Sequence, residues 1–203
     1  MDLGAMSAVE TVGDPLRAAT LLNPLRLAIV RELREPDSAS GLARKLGLPR
    51  QKLNYHLREL ENAGFLELVE ERRKGNCTER MMRATATSYL IDPGALGALG
   101  PDPEQFQDRF SASYLVALAA RAIQELTTLK KRAAQAGKKL PTLSLSTEIR
   151  FASADSQAAF AKELTREVSR LIAKYHDEDA TRGRRFRLLV GSYPKITKKE
   201  GRS

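Results

Sequence analysis

A chain of 203 residues with 42% hydrophobic content has material for one large or two small domains, and no apolar run approaches the roughly 18 to 20 residues of a membrane-spanning helix. The single cysteine, Cys77, excludes an internal disulfide framework and a multi-cysteine zinc or iron-sulfur site; the start, with Asp2 and Glu10, lacks the order of a signal peptide, so a cytoplasmic address and no membrane partner are expected. The net charge of +9 points to a polyanion but is unevenly placed, residues 1–92 holding 14 Lys and Arg against 13 Asp and Glu, and residues 93–203 holding 20 against 12.

Residues 1–13 are small and polar without a period, which predicts a flexible tail. Asp14-Pro15 then signals a helix start, with Asp as cap and Pro at the first position, and Leu16, Ala19 and Leu22 turned inward. Asn23-Pro24 repeats the signal for a helix ending before Pro36, with Leu25, Ile29 and Leu33 on one face. Ser38 to Leu46 reads as a short helix stopped at Gly47. Three places after its Ser38 cap, where a capping box carries an acid, stands Gly41, so this helix start is expected to be weak. Leu48-Pro49 opens a further helix over about 49–63 that turns Leu53, Leu57 and Leu60 to the core and ends at Gly64. Two β-prone runs, Phe65 to Arg72 and Thr78 to Ile91, flank a tight basic turn. Two helices about a glycine turn, closed by a hairpin, read as a winged helix-turn-helix domain over residues 14–92.

The stretch from Asp92 to Pro103 is rich in Pro and Gly and marks a boundary. A long helix is predicted from about Glu104 to Ala136, roughly 50 Å at 1.5 Å per residue. Its apolar stripe includes Phe106, Phe110, Tyr114, Leu118, Leu126 and Leu129, and its breadth exceeds what its own chain would cover; these six are the candidate contacts of a homodimer. Leu143, Leu145, Thr147, Ile149 and Phe151 alternate with polar residues as in a half-buried strand. Asp155 or Ser156 caps a helix carrying Phe160, Leu164, Val168, Leu171, Ile172 and Tyr175, and Phe186, Leu188 and Val190 suggest a second strand. Residues 195–203 form a polar basic tail. The fold class is therefore mainly α with small β (α+β). A winged helix-turn-helix domain is followed, over 102–194, by a long helix and a strand-helix-strand unit for dimerisation, with room for a small-molecule effector of unspecified chemistry.

If Leu53, Leu57 and Leu60 face inward, Arg50, Gln51, Asn54, Tyr55 and Arg58 fall on the outer face, which is the face that enters a major groove. Gln and Asn pair bidentately with adenine and Arg with guanine, so Gln51, Asn54 and Arg50 or Arg58 are the base readers, and Lys52 meets phosphate. Arg72, Arg73 and Lys74 at the hairpin tip suit the backbone or a minor groove, and Gly75 and Asn76 permit the turn. His56, between Leu53 and Leu60, suits a partly buried structural role, and His176 a helix C-terminus. With no Gly-rich phosphate loop, no nucleophile elbow and no His-rich metal spacing, no enzyme activity, cofactor or metal is expected.

Leu22-Asn23-Pro24-Leu25-Arg26-Leu27-Ala28-Ile29-Val30 resembles the opening of the second helix in ArsR-type winged helix-turn-helix regulators. The resemblance continues through Leu42-Ala43, Gly47-Leu48, the segment Asn54 to Leu66 and the wing, over about residues 15–92. It implies a dimeric transcription regulator binding double-stranded DNA, often a repressor released by a ligand. Two departures matter: Ser38 to Leu46 lacks the cysteines of the family's metal sensors, so metal sensing is not carried over, and Asn54 stands where serine is common. Winged helices also serve as protein-docking modules and as RNA-binding proteins. The outward polar set favours base readout over docking, and an aromatic content of 5% is low for RNA stacking.

Overall fold

Short-range capping sets out the first four helices in the computed structural model, which describes residues 6–74 and 77–196. Asp14 accepts the Arg17 N–H at the start of α1 (Pro15–Leu21), and Asn23 accepts the N–H groups of Leu25 and Arg26 at the start of α2 (Pro24–Glu32). Both helices take Pro in the first turn, where its missing N–H costs nothing. α3 (Ala39–Leu46) is capped by Ser38 and closed by Gly47 in the left-handed region, at φ 64°. After Leu48 and Pro49 the chain enters α4 (Arg50–Asn62), whose first-turn N–H groups receive no side-chain cap.

α2, α3 and α4 enclose a core of Ile29, Leu33, Leu42, Leu53, Leu57 and Leu60, closed from below by Phe65 and Met82. Phe65 leads into β2 (Leu66–Lys74), which pairs antiparallel with β3 (Cys77–Ala84) and carries a register shift between Leu68 and Glu70 that adds twist to the hairpin. Arg17 ties these parts together. Its Nε donates to the Ala63 carbonyl at 2.8 Å, a terminal amine of its guanidinium meets Glu10 at 2.7 Å, and its plane lies 4.8 Å from the Phe65 ring centroid.

Of the segment 1–13 expected to be a flexible tail, residues 1–5 lie outside the described residues and residues 7–12 are part of the fold. β1 (Glu10–Val12) pairs in parallel with β4 (Tyr89–Ile91), with Val12 opposite Ile91, and Val12 is fully buried. A three-residue strand shows no usable period in sequence, and the partner that stabilises it lies far along the chain. In α1 the inward residues are Ala18 and Leu21, whereas Leu16 and Leu22 are exposed. The bonds of Arg17 to Ala63 and Glu10 set this rotation, and the apolar residues of the helix fit either phase.

The chain divides into two compact units, Met1–Lys139 and Leu140–Ser203, so the expected boundary at 92–102 falls inside the first. Asp92 is buried, accepts the Gly94 N–H and starts a 3-10 turn over Pro93–Leu99, and Asp102 accepts the Glu104 N–H to start another over Pro103–Gln105. α5 (Ala112–Gln135) follows, about 36 Å long rather than 50 Å. Between Phe106 and Ser111 the side chain of Asp108 accepts the Phe110 N–H and Ser111 caps Tyr114, bonds that compete with helix and delay its start. Phe106 and Phe110 therefore precede α5, and Phe110 stands fully exposed. α5 has two apolar faces. Ala117 and Ala120 are buried on the side that meets the 3-10 turns, while Arg121 reaches Asp102 and Glu104 at 2.9 and 3.1 Å. On the opposite side Leu115, Ala119, Ala122, Leu126, Leu129 and Ala133 recur in steps of four and three, the seam spacing of paired helices.

In the second unit α6 (Ala154–Tyr175) is capped by Ser153 through a reciprocal box with Ser156, two residues before the expected Asp155. Phe151 packs on Phe160 with ring centroids 5.4 Å apart. The strands expected at 143–151 and 186–190 do not form: among the described residues of 140–196 there is no strand. An alternating face needs a sheet partner, and here an ion pair of Lys195 with Glu148 at 2.6 Å stands where ladder bonds were expected. No described helix is long and apolar enough to cross a membrane.

Candidate nucleic-acid interface

α4 is held by Leu53, Leu57 and Leu60, three leucines at steps of four and three that are buried in the core. That anchoring fixes its rotation and leaves Arg50, Gln51, Lys52, Asn54, Tyr55 and Arg58 exposed, the outward set read from the sequence. They divide into two rows. Gln51, Tyr55 and Arg58, together with Asn62, lie at steps of four, three and four along the crest opposite the leucines. Asn62 was missed by the sequence reading, although the same spacing rule reaches it. Arg50 and Asn54 lie on the flank that turns toward α3 and the hairpin.

Between that flank, α3 and β3 runs a cleft of ≈ 150 Å³ lined by Ser38, Ser40, Arg50, Asn54, Arg58 and Arg80. Glu61 takes both terminal amines of the Arg80 guanidinium at 2.7 and 3.0 Å, joining α4 to β3. That carboxylate holds the Arg80 pKa above its ordinary value. The bidentate geometry makes Arg80 a brace rather than a free cation. No local pattern signals it, because its partner lies 19 residues away.

On the hairpin Arg72 pairs with Glu70 and Arg73 is exposed. Asn76 and the side chain of Lys74 lie outside the described residues. On α3 Lys45 meets Asp37 at 2.9 Å, a hydrogen bond that raises the lysine pKa, while Arg44 is exposed. His56 is half-buried, with its ring edge to face on Tyr55 at 5.2 Å. Burial, then the charges of Arg26 and Lys52, lower its pKa, so the neutral ring is favoured. Its Nδ1 is buried with no partner among the described residues, which fits the expected structural role better than contact with a ligand. His176 caps the C-terminus of α6 and reaches Glu178 at 3.5 Å.

The arrangement is a buried-backed helix presenting amide and guanidinium groups outward, with an exposed arginine on a hairpin beside it. The first-turn N–H groups of α4, uncapped by any side chain, add partial positive charge at the same end as Arg50 and Gln51. Such a surface can hydrogen-bond base edges and neutralise phosphates. No curated protein matches the chain. Residues 21–69, from the end of α1 into β2, match the family described as the helix-turn-helix domain. The chain thus carries a helix-turn-helix domain, the mark of a DNA-binding regulator.

Proposed function

We propose that the chain is a dimeric, sequence-specific transcription regulator that binds double-stranded DNA and represses by occupying its operator, acting through binding rather than catalysis. The observation that carries this reading is the crest of α4, where Gln51, Tyr55, Arg58 and Asn62 stand exposed with three buried leucines behind them. A helix so backed enters the major groove without disturbing the core. Asn54 and Gln51 then match adenine edges, Arg50 and Arg58 guanine edges, and Lys52 and Arg73 the phosphates.

The apolar row of α5 on the side away from Ala117 and Ala120 supports a second copy as partner. Leu126 and Leu129 are each 42% exposed there, and a two-fold pair would present two recognition helices to half-sites about one DNA turn apart. Repression follows the ArsR-type resemblance of residues 15–92.

Selection from random duplex DNA tests the reading. A defined, palindromic site should emerge, with binding that weakens steeply as salt rises. Asn54→Ala should lose discrimination at one base step by about 1–3 kcal/mol, and Arg73→Ala should weaken all sequences alike. Uniform losses in both variants would mean that α4 does not read bases with this face.

A further inference from the structure

The cationic side chains of this protein divide by whether a carboxylate already holds them. In the first unit Arg17, Arg80, Arg83 and Arg121 are paired with acids at 2.6 to 2.9 Å. In the second, Arg170 is paired with Glu167 on α6 and Lys195 with Glu148. Arg150 and Lys162 stand singly without such a pair among the described residues, whereas Arg182, Arg184 and Arg185 stand without one as a group. They are exposed, they follow α6 in a stretch without helix or strand, and none of them has an ion pair among the described residues. Of the acids that precede the cluster, Asp177 accepts the Asp179 N–H at 3.0 Å and Glu178 faces His176 at 3.5 Å, and Asp179 makes no ion pair with the three arginines. A turn closed by the Gly183 N–H on the Ala180 carbonyl at 2.8 Å lies within the cluster.

We propose that Arg182, Arg184 and Arg185 form a second DNA contact, gripping the sugar-phosphate backbone of the duplex that α4 reads; the proposal rests on the DNA-binding reading above. Three exposed guanidiniums within four residues, none held by a carboxylate, suit a polyanion, and the arginine fork matches phosphate oxygens two at a time. The segment over 1–92 is close to neutral, with 14 basic against 13 acidic residues, so the exposed cations of α4 and the hairpin, Arg50, Lys52, Arg58 and Arg73, face a strongly charged duplex with little excess charge behind them. A basic segment on the same chain acts at high effective concentration once α4 has docked, and a contact weak by itself then adds to the whole. It carries no base-reading amide, so it tightens binding without changing which sequence is bound.

The test replaces all three arginines in the full-length protein, once by Gln and once by Lys, and measures binding to the selected duplex and to an unrelated duplex over a salt series. For the Gln variant the slope of log affinity against log salt should be shallower by about 2 to 3, with both duplexes bound on the order of tenfold more weakly and their ratio unchanged. The Lys variant should keep the wild-type slope. A Gln variant with wild-type slope and affinity would overturn the second contact while leaving the DNA-binding reading intact. Wild-type protein that binds no duplex would overturn both. Exposed Phe186 and Leu188 beside the cluster make a lipid surface the competing partner. Wild-type binding to phosphatidylserine vesicles that exceeds binding to duplex, and that is lost in the Gln variant, would overturn the proposal in favour of that surface.

Discussion

At the start of α3 a Cβ on Gly41 would stand 1.8 Å from Oδ1 of Asp37. The same oxygen accepts the Ser38 N–H at 2.7 Å, the donor that an acid at position 41 would have taken in a capping box, while Oδ2 holds Lys45 at 2.9 Å. Asp37 thus does the work of the absent acid, and Gly41 is the room it needs; the helix start expected to be weak has both bonds that a capping box supplies. Gly41→Ala should therefore destabilise the domain by about 1–3 kcal/mol in urea denaturation, against the helix propensity gain of Ala over Gly. Removing the carboxylate as well, in Asp37→Ala with Gly41→Ala, should recover part of the loss, because the clash is gone and only the cap bond and the half-exposed Lys45 pair are missing. An unchanged midpoint in the single variant would mean that Asp37 swings aside at no cost. The caps at Asp14 and Asn23 were legible in the sequence because each spans no more than three residues. The role of Asp37 was not, since glycine in a helix reads first as a defect.

Among the elements, the hairpin and α4 act as one body through Glu61 and Arg80. β2 and β3 reach out from the core as a two-stranded ribbon, and such ribbons twist freely unless something beyond the ladder holds them. The brace fixes the angle between the outward face of α4 and the hairpin, the two surfaces to which base reading and phosphate contact are assigned in the proposed function. Arg80→Gln and Glu61→Gln should each cost about 0.5–1 kcal/mol of stability, as befits a partly exposed pair. In DNA binding they should weaken the selected site more than unrelated duplex. The double variant should lose little more than either single one. Additive losses in a double-mutant cycle would show that the two residues contact DNA separately. At this scale the helices and the hairpin were legible from leucine spacing and glycine stops. The strands at 143–151 and 186–190 were not, because alternation states which face would be buried but not whether a partner strand arrives. The late start of α5 was hidden in the same way: Asp108 and Ser111 bond to the backbone of their own segment, a choice that apolar periodicity ignores.

For the whole molecule, α5 belongs with the winged-helix segment, packed by Ala117 and Ala120 and tied by Arg121, so a chain cut near Asp92 would lose part of its own packing along with any dimer contact. A point substitution separates the two. Leu126 is 42% exposed within the chain, so Leu126→Glu should leave the folded protein intact by circular dichroism. In a dimer it would bury an unpaired carboxylate, and sedimentation should show a monomer that has lost most of its affinity for a palindromic site. A Leu126→Glu protein that still sediments as a dimer would remove this face of α5 from the interface.

The parallel pairing of β1 with β4 also sets an order of events during synthesis. Val12 enters its slot only beside Ile91, so β1 has no partner on the ribosome until 79 further residues have followed, as the register of Val12 with Ile91 requires. At about 5–20 residues per second that interval is roughly 4 to 16 s, far longer than the microseconds in which helices form. The nascent chain therefore holds its helix-turn-helix segment before β1 and β4 can pair, and α5, made later still, packs only after that.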